Sequence, residues 1–419
     1  MARVRRVVVV GGGVVGVSTA YYLAGRGVEV ILLEQEAVGS GASQGNAGQI
    51  TAEHLPLNRP GMLWGNVRML LQPLSPLYIP LRFDWDLWRW LWRFQRSCRK
   101  SHVRRATDVL NRLGRASAVL FEQLDAELDF RFRRQSRYEI CLKASTLREA
   151  GDDARLLAEL GSDLRLVDGD EMRELEPALT APVAGAVEFP DACYCDPALL
   201  VQQLAEAAGR SGAVLRTGQP VVDVQSNGDG KVRVCLPAEE IEADAVVLAC
   251  GAWAPRLAGR LGLKLPVQPG KGYHLDLDLP NGTALPKNPL TLLEERIFFT
   301  PYDDHVRLAG TMEFSGFNLR KHPTRLKMLA RGASRYMAGV GEDRLATARS
   351  QWCHLRPMSP DGLPLIGPVP GAANTWLATG HGMLGLTQGP ITGKLIADAL
   401  VDGRMAEELE PLRPDRFGR

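Results

Sequence analysis

The chain has 419 residues, 45% of them hydrophobic and 23% charged, with a formal net charge of +2. That length exceeds what one simple core serves and fits two intimately connected domains. The charge is near neutral with no long basic run, which speaks against a nucleic-acid partner. The seven cysteines, Cys98, Cys141, Cys193, Cys195, Cys235, Cys250 and Cys353, are sparse and odd in number, which points to a reducing, cytoplasmic compartment.

Arg3, Arg5 and Arg6 precede an apolar run in the manner of a secretory signal. That run lacks a cleavage pattern and carries the first strand and turn, so it is read as part of the fold. No uncharged apolar segment of roughly 18 residues is present, and no bilayer-spanning helix is expected.

Val7 to Val10, all β-branched, predict a strand buried on both faces. Gly11, Gly13 and Gly16 follow at G-x-G-x-x-G spacing, with Gly12 as a further glycine in the turn. A helix is expected from Val14 to Ala24, ended by Gly25 to Gly27, and a second strand from Val28 to Leu33. In that context the glycines allow a tight turn, approach of a pyrophosphate and close helix packing, and the helix N-terminus beside Val14 and Val15 receives the phosphate. Glu34, followed by Gln35, suits the two ribose hydroxyls and disfavours a 2′-phosphate, so NADP is the poorest occupant. The motif does not separate FAD from NAD.

Gly39 to Gly48, GSGASQGNAG, holds four glycines among small polar residues. Ser43, Gln44, Gly45, Asn46, Ala47 and Gly48 expose backbone donors with little bulk, which suits a flavin ring and its phosphates. A flexible surface loop is the alternative. Pro60 to Lys100 is aromatic and basic: Trp85, Trp88 and Trp92 fall at helical spacing, with Leu81, Trp64, Trp90, Phe94 and Cys98 nearby. The stripe is assigned to core packing, with another subunit or an anionic membrane surface as alternatives.

Helices are expected across Thr107 to Leu128 and Thr146 to Leu160, with a strand at Tyr138 to Leu142 and a solvated helical turn at Glu171 to Glu176. Cys193-Tyr194-Cys195 lacks the two-residue gap of a redox or zinc motif and is read as part of a strand edge. Asp196-Pro197 opens a helix from Ala198 to Gly209. Strands follow at Val214 to Arg216, Val221 to Val224 and Val232 to Cys235, with a hairpin at Asn227-Gly228. Ala245 to Gly251 is a second buried strand leading to Trp253, and it returns the chain to the first domain. Tyr273 to Leu277, Arg296 to Thr300 and Val306 to Ala309 read as strands of a cap, with a helix from Thr324 to Met337. Trp376 to Ala378 reads as a strand, Gly380-His381-Gly382 as its turn, and Gly389 to Leu400 as a helix. Thr387 or Gly389 sits near the start of that helix, which aims a second N-terminus at the cofactor.

These elements predict an α/β plus α+β fold. A Rossmann-like dinucleotide domain with a parallel central sheet is expected from 1–55, 190–265 and 345–412. An interleaved, sheet-based substrate domain is expected from 56–189 and 266–344.

With VVVVGGGVVGVSTAYYL and Glu34, SQGNAGQI at Ser43 to Ile50, GKGYHL at Gly270 to Leu275, LRPMSPDGLPLIG at Leu355 to Gly367 and ATGHGMLGLTQGPITG at Ala378 to Gly393, the chain resembles the FAD-dependent D-amino-acid oxidase superfamily. The resemblance is to its D-amino-acid dehydrogenase small-subunit branch, to which D-hydroxyproline dehydrogenases are close. It implies non-covalent FAD and oxidation of a D-amino acid by hydride transfer to flavin N5. The resulting imino acid hydrolyses to a 2-oxo acid, and the electrons pass to a quinone or other acceptor. It also implies that Arg356 binds the substrate carboxylate, that Gly45, Asn46 and Ala47 face the flavin, and that Val222 lies on the adenine side. Gly382, Met383, Leu384, Gly385, Leu386 and Thr387 would lie on the ring's pyrimidine side, and Gly251 and Trp253 would complete the cofactor site. Glycine oxidase carries a second arginine after the histidine; Gly382-Met383-Leu384 here has none.

Tyr273 and His274 should alternate faces, so that one of them faces the pocket. His381 lies beside the cofactor turn as an acid or base candidate, although local hydrogen bonding is its simpler role, and His354 is expected to point away from Arg356. No spacing of His, Cys, Asp or Glu makes a metal site. The alternative functions are a D-proline or D-hydroxyproline dehydrogenase, an oxygen-using amine oxidase, and a non-catalytic flavoprotein subunit. The location is cytoplasmic, with peripheral contact on the inner face of the membrane through Trp85, Trp88 and Trp92 as a variant.

Overall fold

The computed structural model describes residues 4–62, 75–226, 230–278, 284 and 286–418. Arg3, Trp64 and the expected Asn227-Gly228 turn lie outside the described residues.

The valine run forms the strand Arg6–Val10, which pairs in parallel with Glu29–Leu33 on one side and Ala245–Leu248 on the other. These belong to a six-stranded sheet in the order Val214–Arg216, Glu29–Leu33, Arg6–Val10, Ala245–Leu248, Thr375–Thr379, Leu365–Pro368, in which only the last pair is antiparallel. Alternation explains why every position of the run is apolar. Val7 and Val9 face the helices Val14–Gly25, Pro197–Arg210 and Gly385–Asp402, whereas Val8 and Val10 face a meander of Asp223–Ser226, Val232–Cys235 and Glu240–Ala243. Asp196 caps the Pro197–Arg210 helix, its Oδ1 accepting from the Ala198 N–H at 3.0 Å and from the Leu199 N–H at 3.2 Å.

A second, nine-stranded sheet runs Ser350–Met358, Gln268–Leu277, Val306–Glu313, Ile297–Pro301, Leu290–Leu292, Arg137–Cys141, Gly185–Phe189, Arg165–Asp168, with Leu77–Tyr78 beside Val306–Glu313. Helix Pro323–Ala333 covers its core of Leu275, Phe299 and Leu308. The strand Ser350–Met358 belongs to this sheet, so the last C-terminal segment joins the dinucleotide sheet only at Leu365. The long helix Lys100–Asp125 packs through Ala106, Leu110, Leu113 and Phe121 into the core beneath the dinucleotide sheet.

Three local expectations need correction. The tryptophan stripe is not core: in helix Trp85–Ser97 the buried face is Leu87, Trp90 and Phe94, while Trp85, Trp88 and Trp92 are 64%, 54% and 59% exposed. Helical spacing identified a common face but not which face turns inward. Cys193–Tyr194 is the central strand of a small sheet, between Gln49–Ile50 and Arg133–Arg134. Glu176, expected in solvent, is fully buried, and its carboxylate accepts from the Lys287 and Asn288 N–H groups, both at 2.8 Å, and from Asn288 Nδ2 at 2.6 Å.

Removing that acceptor strands three donors. Glu176→Ala is expected to lower the unfolding free energy by about 1–3 kcal/mol while the protein still folds. A denaturant titration unchanged from the parent protein would contradict this.

Candidate active site

The carboxyl ends of the central strands open into a cleft of about 380 Å3, where Val10, Gly11, Ala249, Ala378 and Thr379 line the floor. This is where open α/β sheets bind ligands. Two helices begin here: Val14–Gly25, whose first residues Val14 and Val15 line the cleft, and Gly385–Asp402, whose Gly385 and Leu386 do so. Both present the positive ends of their dipoles to the same space. Gly11 has φ +111°, and a Cβ there would lie 2.6 Å from the Ala249 carbonyl oxygen, so only glycine fits the turn. Ser43 Oγ accepts from the Val14 N–H at 2.9 Å. The Glu34 carboxylate accepts from the Gly12 and Glu36 N–H groups at 2.6 and 2.9 Å.

The Ser43 to Gly48 loop is fixed from the second sheet. Arg307 donates Nε and Nη2 to the two oxygens of Asp276 at 2.8 and 2.9 Å, and Nη1 to the carbonyls of Gln44 and Asn46 at 3.2 and 2.9 Å. Thr300 Oγ1 donates to the Ala47 carbonyl at 2.7 Å. His274 Nδ1 sits 3.1 Å from the Gly45 carbonyl oxygen, and its ring stacks on Trp352 at 5.1 Å. With its carbonyls held this way, the loop keeps one shape.

One wall comes from the strand Ser350–Met358. Trp352, His354 and Arg356 alternate onto its cleft face and the buried Leu355 also borders the cleft, while Cys353 packs into the core behind them. His354 therefore faces the cleft with Arg356, contrary to expectation, because residues two apart on a strand share a face. Its Nδ1 is buried without a hydrogen-bond partner.

The Arg356 guanidinium crosses Gly272 of the paired strand, where a Cβ would come within 2.2 Å of Cζ. Its Nη1 donates to the Thr311 carbonyl at 2.9 Å. Thr311 and Met312 lie opposite the single residue Gly272 in a β-bulge, and Thr311 takes φ +58°, a conformation that strains a β-branched residue. The bulge turns the Thr311 carbonyl toward the guanidinium. Among the described residues no carboxylate pairs with Arg356, and burial pulls its pKa down to about 10, leaving it a cation at neutral pH.

Of the sequence-derived candidates, Gly11, Gly13, Val14, Val15, Glu34, Gln35, Ser43, Gly45, Asn46, Val222, Gly251, Trp253, Arg356, His381, Gly382, Met383, Gly385 and Leu386 line this cleft. Gly16, Gln44, Ala47, Gly48, Leu384 and Thr387 stand behind the lining. Thr387 Oγ1 accepts from the Thr51 N–H at 3.2 Å, and a Cβ on Gly16 would overlap the Gly11 carbonyl. Tyr273 is brought elsewhere. It lies in the core of the second sheet, its hydroxyl donating to Glu313 Oε2 at 2.8 Å, because Gly270, Gly272 and His274 occupy the other face of its strand. His381 is in the lining, with Nε2 3.0 Å from Thr392 Oγ1, which ties the turn to the following helix. Trp352, His354, Arg256 and Arg260 were missed as lining residues. The i, i+2, i+4 parity ending at Arg356 was the signal for the first two, and the i, i+4 pair on helix Ala254–Arg260 for the arginines. Among the described residues no cluster of three His, Cys, Asp or Glu could hold a metal ion, and no helix is long and apolar enough to cross a membrane.

Residues 6–399 match the family model described as DAO, FAD dependent oxidoreductase. The fold is similar to glycine oxidase from Geobacillus kaustophilus (TM-score 0.80, 24% identity, covering 98% of this chain and 99% of that one). It is also similar to L-proline dehydrogenase from P. horikoshii (TM-score 0.77, 18% identity, 100% and 98% covered). A third similar structure is iminodiacetate oxidase from Chelativorans sp. BNC1 (TM-score 0.72, 25% identity, 98% and 99% covered).

Two buried imidazoles give the site an acid limit. Burial, aided by Arg307, pushes His274 down to about 4, and burial pushes His381 down to about 3. Both are depressed below the unfolded value of about 6.5, so their contribution to stability is complete above that pH and declines as pH falls. Between about pH 6.5 and about pH 4 each should cost about 1.4 kcal/mol per pH unit, and His381→Asn should flatten the slope. Thermal melts that do not move across that window would refute the assignment.

Proposed function

We propose a reaction for this chain from one premise: it belongs to the FAD-dependent oxidoreductase family and binds FAD. The residues present fit that cofactor, since the cleft joins two helix N-termini, a fixed loop of small residues and the Glu34 carboxylate at the end of its strand. The chain acts as an FAD-dependent oxidoreductase on an amino-acid-like substrate. Our finer reading is a D-amino-acid dehydrogenase that passes its electrons to a quinone or other acceptor and works at the cytoplasmic membrane surface. Segments 1–55, 190–265 and 345–412 would form the cofactor domain and 56–189 and 266–344 the substrate domain, with the strand Ser350–Met358 of the former paired into the sheet of the latter.

The observation that carries this reading is the Arg356 guanidinium, a partly buried cation in the cleft wall whose hydrogen-bond acceptor is the neutral Thr311 carbonyl. Such a charge favours an anionic ligand, and a carboxylate meets two parallel N–H groups of arginine at once. Bound FAD supplies the two-electron acceptor. Arg356 anchors the substrate carboxylate and so fixes where Cα–H points; that hydrogen would leave with its electron pair, the C–N bond would become a protonated imine, and water would later convert it to the 2-oxo acid and ammonium. Burial holds the cleft-lining His381 neutral at working pH, and an amine that enters deprotonated needs no base from it. Met383 in the lining and Met358 at the end of the Arg356 strand give the substrate side chain an apolar neighbourhood.

That apolar neighbourhood equally suits a pyrrolidine ring, and D-proline or hydroxylated D-proline is the second reading. Similar structures include enzymes whose names specify the secondary amines proline and iminodiacetate. The D configuration rests on the resemblance of the Leu355 to Gly367 and Ala378 to Gly393 stretches.

Anaerobic mixing with D- and L-alanine, D- and L-proline and hydroxylated D-proline, followed by flavin absorbance, tests the reading. D-substrates should bleach the flavin, and Arg356→Ala should raise KM at least about thirtyfold, a loss of ~2 kcal/mol. Bleaching by L-forms alone would overturn the chirality, an unchanged KM would remove Arg356, and no bleaching by any amine would leave a non-catalytic flavoprotein. Peroxide release in air separates oxidase from dehydrogenase. Arg307→Ala, which frees the Gln44 and Asn46 carbonyls, should weaken FAD retention about tenfold by equilibrium dialysis. Retention equal to the parent protein would show that the loop does not need that clamp.

A further inference from the structure

We propose that the outer face of helix Trp85–Ser97, with Leu81 and Phe83 just before it, docks on an anionic lipid bilayer. Five of the twelve exposed large hydrophobic side chains in the described structure fall between Leu81 and Trp92, with Leu81 and Phe83 more than 80% exposed. Single exposed apolar residues are ordinary, but a cluster of this kind marks an interaction surface. Its composition narrows the partner. Tryptophan suits the headgroup region, where an apolar ring and a polar N–H are both accommodated. Between Trp85 and Lys100 the exposed charged residues are Arg89, Arg96, Arg99 and Lys100 against Asp86, and the Arg96 guanidinium lies 4.7 Å over the Trp92 ring. Apolar rings with interleaved cations complement an anionic interface. A second copy meeting this face symmetrically would set the arginines against their own counterparts, with Asp86 as the nearby acid.

The face is also joined to the active site. On its inner side the helix buries Leu87, Trp90 and Phe94 against Met312, Phe314 and Met358, and Trp90 Nε1 donates to the Met358 carbonyl at 2.9 Å. Met358 is two residues beyond Arg356 on the same strand. A bilayer held on the outer face would therefore lie one helix thickness from the end of the substrate wall, within reach of an apolar electron acceptor dissolved in the membrane. That last point rests on the proposed acceptor; the docking itself does not.

Flotation of the holoenzyme with vesicles of phosphatidylcholine, alone or mixed with phosphatidylglycerol, tests docking without reference to turnover. Binding is expected to the mixed vesicles only and to weaken as salt is raised, and Arg96→Glu is expected to reduce it about fivefold or more. The triple variant Trp85→Ser, Trp88→Ser, Trp92→Ser should lose at least about tenfold in binding while keeping its FAD content and its rate with a soluble dye acceptor. Failure to bind mixed vesicles at low salt would overturn the proposal. So would binding that the triple variant leaves intact, or a self-association in sedimentation equilibrium that the triple variant abolishes.

Discussion

The close approach of helices Val14–Gly25 and Gly385–Asp402 is the constraint on which the cleft depends. A Cβ on Gly389 would lie 2.8 Å from Val14 Cγ2, and one on Gly393 would lie 2.5 Å from the Ser18 backbone. Glycines one turn apart let the two helices touch nearly backbone to backbone, which brings two positive helix ends to one point. Each helix alone would offer a modest electrostatic preference; sharing a cleft, they act together on an anionic group. The tight fit also fixes the turn Gly380 to Leu384, because His381 is bonded to Thr392 on the same helix.

Around that fixed pair the second sheet performs a different task. Arg307 and Thr300 reach across to hold the carbonyls of the Gly45 loop, and the bulge at Thr311 turns a carbonyl onto Arg356. Arg307 and Arg356 are both partly buried cations, yet their roles separate by what faces them. Arg307 has a two-pronged partner in Asp276 and is structural, whereas Arg356 has one neutral acceptor and retains a capacity for an anion. Thr311 Oγ1 is also buried without a partner, beside a strained backbone. Unsatisfied polar atoms and backbone strain of this kind collect at functional sites.

The dinucleotide half was legible because its signals are local. The valine run, the glycine spacing and the acid at Glu34 all report on residues within one βαβ unit, and all three stand where they were expected. The substrate half was less legible because its decisive facts are long-range. That Tyr273 turns inward follows from Gly270 and Gly272 occupying the other face and from pairing with the strand that carries Arg356, which lies more than 80 residues on. That His354 shares the face of Arg356 was available from strand parity alone. The orientation of the tryptophan helix was not, since both its faces are apolar and only Met312, Phe314 and Met358 decide which one is covered. Glu176 looked solvated because its partners, Lys287 and Asn288, are distant in sequence.

The order of the dinucleotide sheet bears on how the protein comes into being. Arg6–Val10, made first, finds its inner neighbour only at Ala245–Leu248, and that strand finds its own at Thr375–Thr379. On the ribosome the first strand and its glycine turn must therefore wait, half-paired, until most of the polypeptide has emerged. Pairings this distant make for slow assembly and leave a hydrophobic edge uncovered in the meantime. For a polypeptide built in this order, nascent-chain protection and cofactor supply during synthesis bear on yield as directly as the strength of the finished core.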